Sequence, residues 1–388
     1  MPKKILFLSH DSSLQGAERC LIDFVSNLDR SRFEPLVVLP WKGPMEEHLT
    51  QANVPYTIRH LVRWIPSHHR ATWVYPFSYL KRLRARLWSL LHIIEEEGID
   101  LIYTNTSTLL EGALAANKLS IPHIWHIHEY LNDNPDIYSY LPNKLTDKIT
   151  AYLSDQIITP SHVLAKNRFG TADNVHVVNN GVNLSLEQTG DGESIRDELN
   201  IPANAPIVTF IGSITATKDP LTFVRAALQI KTSKPETHFL IAGHTPNESL
   251  NHLIKDLIKK ASFSENCHLL GFRNDVPNIL ASGTVHVSTS LREVMPINIL
   301  EAMGIGKPVI ATRCGGPEEV IIDNQTGLIV NVGDYNAVAS AVLYLLDNPA
   351  KATAMGRAGK ERVRKYYSTK IYINRISNII EKTCNEHT

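Results

Sequence analysis

The sequence predicts an α/β chain made of two doubly wound, Rossmann-like domains facing a cleft. Three observations carry this. Short, continuous apolar runs alternate with helix-period segments, the pattern of a parallel sheet covered on both faces. The alternation occurs twice, and the two series are separated by the Asn-, Gly- and Ser-rich stretch "VNNGVNLSLEQTGDGES". The 388 residues suffice for two domains at roughly 100–200 residues each.

In order, "KILFLS" predicts a strand, and "QGAERCLIDFVSNL" a helix with Cys20, Leu21, Phe24, Val25 and Leu28 on one face. "EPLVVLP", "DLIYTN", "HIWHIH" and "DQIITP" continue the strand series, with helices between them. The second series is "PIVTFIGS", "THFLIAG", "CHLLGF", "VHVSTS", "KPVIAT" and "GLIV". The tail from Ser368 is helical, with Ile371, Ile373, Ile376 and Ile379 to bury. The expected units are a first domain over 1–183, a second over 184–366, and a terminal helix over 367–388 that crosses back to the first.

Composition narrows the function. Lys+Arg and Asp+Glu are equal at 39 each, which argues against a nucleic-acid binder. The four cysteines are scattered without a C-x-x-C pair, so neither a disulfide framework nor structural zinc is expected, and a reducing cytoplasm fits. The apolar run of "MPKKILFLSHDSS" is too short for a signal peptide, and no run reaches the roughly 18 apolar residues of a membrane span. No G-x-G-x-x-G follows the first strand, which disfavours a dinucleotide-dependent dehydrogenase.

The stretch "LREVMPINILEAMGIGKPVIATRCGG" places Glu293 and Glu301 eight positions apart. Pro296 suits the first turn of a helix, where its missing N–H costs nothing. Glu293 then lies in the loop entering the helix, and Glu301 inside it. Ligands of open parallel sheets bind beyond the carboxyl ends of strands, at helix starts. The N–H groups of Ile297, Asn298 and Ile299 can face a diphosphate, and a carboxylate at Glu301 can hold a vicinal diol. Read without other context, a surface acid and a helix-dipole partner account for the two glutamates equally well.

The segment from Glu293 to Val320 resembles the E-x7-E motif of glycosyltransferase family 4, whose fold is GT-B. The resemblance continues in "FIGSITATKDPLTFVRAAL", "FLIAGH", "HLLGFRNDVPNIL", "NQTGLIVNVGD", "VVNNGVN", "QGAERCLIDF" and "IPHIWHIHEY". It implies that Glu301 holds the donor ribose, Glu293 lies beside the transferred sugar, and Lys218 clamps the diphosphate. Gly212 and Ser213 fall in the same motif, where the family often has arginine in place of Ser213; a hydroxyl lacks the charge and fork of arginine, so more falls to Lys218 and the helix start. Phe272 and Arg273 match positions that meet the nucleobase. Gly16 matches the glycine-rich first loop, although Gln15 replaces one of two usual glycines. His128 matches the cleft histidine, while His126 reads as a core residue.

The family further implies a retaining transfer from a nucleotide diphosphate sugar to a sugar or lipid-linked acceptor, with no metal or other cofactor. A non-catalytic nucleotide-binding relative, or an epimerase or phosphorylase on a similar fold, is the alternative. The His pair shows no third partner at ligand spacing, so no metal site is expected. Between Glu47 and Glu95 there is no acid, and Arg70, Lys81, Arg82 and Arg86 interleave with aromatics. With Leu80, Leu83, Leu87, Leu90, Leu91 and Ile94 packed inward, these cations form either a solvated face or a patch for an anionic membrane. Such a patch would make a cytoplasmic protein peripheral on the inner face of the membrane.

Overall fold

The computed structural model describes residues 1–14, 16–131, 137–184 and 190–387; Gln15 and the 185–189 part of the expected linker lie outside it. The chain divides into two compact units, Met1–Gly181 with Thr369–Thr388, and Val182–Ser368.

The first unit holds a seven-stranded sheet of β1 (Lys3–Leu8), β2 (Phe33–Leu39), β3 (Tyr56–Ile58), β4 (Leu101–Thr104), β5 (His123–His126), β6 (Gln156–Thr159) and β7 (Val175–Val177). All pairs are parallel, in the order β3-β2-β1-β4-β5-β6-β7. The central strands β4 and β5 are buried along their length and β1 from Ile5 onward, as a sheet covered on both faces requires. The outermost strands β3 and β7 are three half-buried residues each. Neither carries the continuous apolar run that marks the inner strands, so the sequence pattern does not reveal them.

The second unit holds β8 (Ile207–Ile211), β9 (His238–Ala242), β10 (Cys267–Gly271), β11 (Val285–Ser288), β12 (Val309–Thr312) and β13 (Leu328–Val330). They form one parallel sheet in the order β10-β9-β8-β11-β12-β13. All six were legible as apolar runs. In each sheet the strand order reverses beside the first strand, between β1 and β4 and between β8 and β11. Such a reversal opens a crevice at the strands' carboxyl ends, where open α/β sheets take ligands.

The terminal helix Thr369–Glu386 belongs to the first unit. It buries Tyr372, Ile376 and Ile380, and the Tyr372 ring meets Phe24 edge-on at 6.0 Å between centroids. All four cysteines are free thiols. No helix among the described residues is long and apolar enough to cross a membrane.

The helix Tyr75–Glu97 departs from its expected facing. Tyr79, Arg86, Leu90, Ile93 and Ile94 are buried, whereas Leu80, expected to pack inward, is exposed. Arg86 is not part of any surface patch. Its Nε donates to Glu111 Oε1 at 2.7 Å, and its guanidinium lies 4.6 Å from the Tyr79 ring centre. A buried carboxylate at Glu111 supplies the partner that lets arginine point inward, which helical spacing alone does not disclose. Arg70, Lys81 and Arg82 are exposed.

Candidate active site

At the β8/β11 crevice, Gly212 and Ser213 follow β8, and Lys218 lies further along that loop. β11 ends at Ser288, and Thr289 and Ser290 lead on to Glu293. The two loops are tied together. Leu291 N–H donates to Thr217 O at 2.8 Å, and the Thr289 hydroxyl donates to Asp219 O at 2.7 Å. Asp219, in the left-handed region at φ +46°, caps the helix Pro220–Ser233 by accepting from Thr222 N–H at 3.2 Å and its hydroxyl at 2.6 Å. So fixed, the Lys218 ammonium pairs with Glu293 Oε2, and the Ser290 hydroxyl donates to the same oxygen at 3.2 Å.

The backbone of Glu293 is held from the other side. Its N–H donates to Cys314 O at 3.2 Å, and its carbonyl accepts from Gly316 N–H at 2.8 Å. A Cβ on Gly316 would sit 2.5 Å from Val294 O, so only glycine permits this approach. Glu318 Oε2 accepts from the N–H groups of Cys314 and Gly315 at 3.1 and 2.9 Å. Burial, reinforced by the Glu293 charge, pushes the Cys314 thiol up to about 12, so it stays protonated beside the carboxylate. At the next strands, Gly243 N–H donates to Gly271 O at 2.8 Å, and a Cβ on Gly243 would lie 1.9 Å from Gly212 O.

The helix Ile297–Gly304 starts without a side-chain cap. Pro296 is the residue before it, in an extended conformation, and not in its first turn as the proline preference suggested. Asn298 Nδ2 donates to Ile211 O at 2.8 Å, which pins the helix start to the end of β8. Glu301 lines a small recess with Val182, Leu184, Val276, Pro277 and Leu280. Phe272 is exposed after Gly271. Arg273 is engaged on both edges, by Glu198 at 2.8 and 2.9 Å and by Asp275 at 2.8 and 2.7 Å. Its guanidinium therefore holds the loop in place.

In the first unit, His128 follows β5. Asn105 Nδ2 donates to Ala17 O at 3.0 Å, so its Oδ1 faces His128 Nε2 at 3.0 Å. That orientation puts the His128 proton on Nε2 and leaves Nδ1 as an acceptor. Burial pushes this imidazole down to about 4, against the raising effect of Glu129. Burial alone would raise Glu129, but His10, His128, Ser107 N–H and the Thr106 hydroxyl outweigh it and hold the carboxyl below its usual range. His126 is buried, with Nδ1 2.8 Å from the Tyr103 hydroxyl, as a core histidine should be.

Gly16 is exposed at the start of the helix Gly16–Ser26, two residues before Glu18, which is buried with Oε1 3.5 Å from His10 Nδ1. Glu18, Asn105 and Glu129 were not among the expected residues. The run "TNTST", whose five polar residues Thr104 to Thr108 are all buried, was the available signal. A polar run right after a strand has no reason to be buried unless it builds a site. Lys218, Glu293 and Ser213 lie on the loops of one crevice, and Glu301 lies on the helix beyond. His128 and Gly16 stand in the first unit.

Residues 14–186 match the family model described as Glycosyltransferase Family 4, and residues 191–362 the model described as Glycosyl transferases group 1. Over 346 residues the chain is 25% identical to the UDP-Gal:alpha-D-GlcNAc-diphosphoundecaprenol alpha-1,3-galactosyltransferase of Escherichia coli, covering 86% of each chain. It is 27% identical over 297 residues to the alpha-maltose-1-phosphate synthase of Mycolicibacterium smegmatis, covering 70% of this chain and 76% of that one. Among solved structures, Anabaena HepE in complex with UDP and glucose superposes with a TM-score of 0.83 at 22% identity, covering 98% of this chain and 100% of that one.

Proposed function

The chain belongs to glycosyltransferase family 4 and is a transferase of GT-B fold, and we propose that it moves a sugar from a nucleoside diphosphate sugar to an acceptor hydroxyl with retention. The observation that carries this reading is the Lys218–Glu293 pair at the β8/β11 crevice, beside an uncapped helix start. One cation and free backbone N–H groups suit a diphosphate. Lys218, Ser213 and the amides of Ile297 and Asn298 hold it, and Gly212 lets it approach the backbone. Glu301 accepts from the ribose diol in its pocket, and Phe272 flanks the base, with Arg273 fixing that loop.

Without donor, Glu293 holds Lys218. A bound diphosphate takes over the ammonium, and the carboxylate turns to the sugar. The C1–O bond to diphosphate breaks and a C1–O bond to the acceptor forms on the same face, while the acceptor proton passes to the departing phosphate oxygen. Glu293 stabilises positive charge developing on the sugar. Lys218 and the helix start take the role a metal would have, so the reaction proceeds without one. The names of the Escherichia coli relative and of the HepE complex support a uridine donor, and the former also a lipid-linked acceptor.

Calorimetry with UDP, GDP and ADP in EDTA tests this. One of them binds, and at 100 times its Kd it stabilises the protein by about 2.7 kcal/mol. No binding at millimolar concentrations, or an absolute need for Mg²⁺ in sugar transfer, would overturn the respective half of the proposal.

A further inference from the structure

The helix Tyr75–Glu97 has two apolar faces. Tyr79, Leu90, Ile93 and Ile94 are buried on one of them. At roughly 100° per residue, Phe77, Leu80, Lys81, Arg84 and Trp88 fall within an arc of about 100° on the opposite side. Phe77 is 70% exposed, Leu80 60% and Trp88 69%, and Lys81 and Arg84 are exposed with them. Just before the helix, Trp73 is 84% exposed. The neighbouring segment adds exposed Tyr138 and Leu141, and is joined there by the Tyr140 hydroxyl donating to Thr72 O at 2.6 Å.

A merely solvated face would not collect tryptophan, phenylalanine and leucine in one stripe. The cations decide what covers it. No acid occurs between Glu47 and Glu95, and among the described residues Lys81, Arg82 and Arg84 have no carboxylate within ion-pair distance. Lys81 and Arg84 lie inside the apolar stripe, not around its rim. The core of a protein interface is depleted of lysine. At a bilayer surface, a long cation lays its stem along the apolar side chains and reaches the phosphates with its tip. Tryptophan likewise favours the headgroup boundary.

We propose that this stripe docks the first unit on an anionic lipid bilayer, with Trp73, Phe77, Leu80 and Trp88 at the acyl boundary and Lys81 and Arg84 on lipid phosphates. The residues differ from a simple basic patch, since Arg86 is excluded and four apolar side chains carry part of the contact. The surface stands on its own geometry. Its use, to reach an acceptor held in the membrane, rests on the transfer reading above.

Co-sedimentation of the full chain with vesicles of phosphatidylglycerol and phosphatidylcholine, against phosphatidylcholine alone, tests the surface without donor or acceptor. Each basic residue near the surface contributes roughly fivefold to binding. Lys81→Gln with Arg84→Gln therefore weakens anionic-vesicle binding by about 25-fold. Phe77→Ser with Trp88→Ser weakens it even at high salt, where screening removes most of the charge contribution. Tryptophan emission shifts to the blue on binding. UDP binding by the same variants stays unchanged, which shows that they fold and keeps this outcome separate from the enzymatic reading. Absence of binding at low salt, or binding unaffected by either double variant, overturns the proposal. So does a protein that self-associates until Phe77→Ser and Trp88→Ser make it monomeric, because the stripe then belongs to a second copy.

Discussion

Glu293 and Glu301 are eight positions apart, and their surroundings give them different tasks. Glu293 is paired with Lys218 and Ser290, and Glu301 lines an apolar-walled pocket. Glu301→Ala is expected to weaken nucleoside diphosphate binding by about 1.5–3 kcal/mol, read by calorimetry. Glu293→Gln is expected to lower kcat while nucleotide affinity holds, because it also releases Lys218 to the diphosphate. Steady-state kinetics decide: a raised KM with unaltered kcat would make the interaction uniform binding. Glu18 gives a third prediction. Burial pushes its carboxyl from 4.5 up to about 7, opposed by a hydrogen bond from its own backbone N–H and weakly by Arg63, and aided by Asp11 and Glu129. Between those values the folded chain keeps a proton that the unfolded chain has lost. Stability from this group is therefore full below about 4.5 and is lost as pH rises through 7, a span worth about 3 kcal/mol. Urea unfolding at pH 5 and 8 is expected to show a smaller drop for Glu18→Gln than for the parent.

Among the elements, the helix Tyr75–Glu97 shows how far periodicity reaches. Its existence was legible, from good helix formers ended by Gly98 at φ +64°. Its facing was not, because the leucine arc is turned from the face that is buried, where Arg86 with its buried acid partner takes the place of a leucine between Tyr79, Leu90 and Ile93. Arg86→Met leaves Glu111 buried and unpaired, and is expected to destabilise the protein by about 3–5 kcal/mol in urea unfolding. Arg86→Met with Glu111→Leu is expected to recover much of that loss, since an apolar pair of similar volume replaces the ion pair. The helix Ile297–Gly304 was easier to place, and its start shifted by only one residue, to just after Pro296.

Across the molecule, burial keeps histidines neutral in both units. His123 and His286 are both pushed down to about 3, each beside a threonine hydroxyl. Below the ordinary value of 6.5 the unfolded chain binds protons that these groups refuse in the folded state, so their contribution is lost as pH falls through 6.5 toward 3. In the first unit the rise at Glu18 and at Asp23, pushed up to about 6 by burial, works in the opposite direction. It is outweighed there by His10 and His128, both pushed down to about 4 by burial, and by His126, held well below its ordinary value, so the first unit is the more acid-sensitive. Hydrogen exchange on the full chain, corrected for intrinsic rates, is expected to lose protection in β4 and β5 between pH 7 and 5. Protection that falls first in β8 and β11 would contradict this.

The sequence alone determined the α/β class, the two series, the inner strands and the residues of the Glu293–Gly316 stretch. Each of these rests on local patterns: apolar period, turn residues and motif spacing. Tertiary structure alone decided that Lys218 meets Glu293 across 75 positions, that Asn105 sets the proton of His128, and that Arg86 points in while Leu80 points out. These depend on which strands become neighbours where the sheet reverses, and on which buried partner a polar side chain finds. Neither is encoded within a window of a few turns, because partners far apart in the chain make the contacts that settle it.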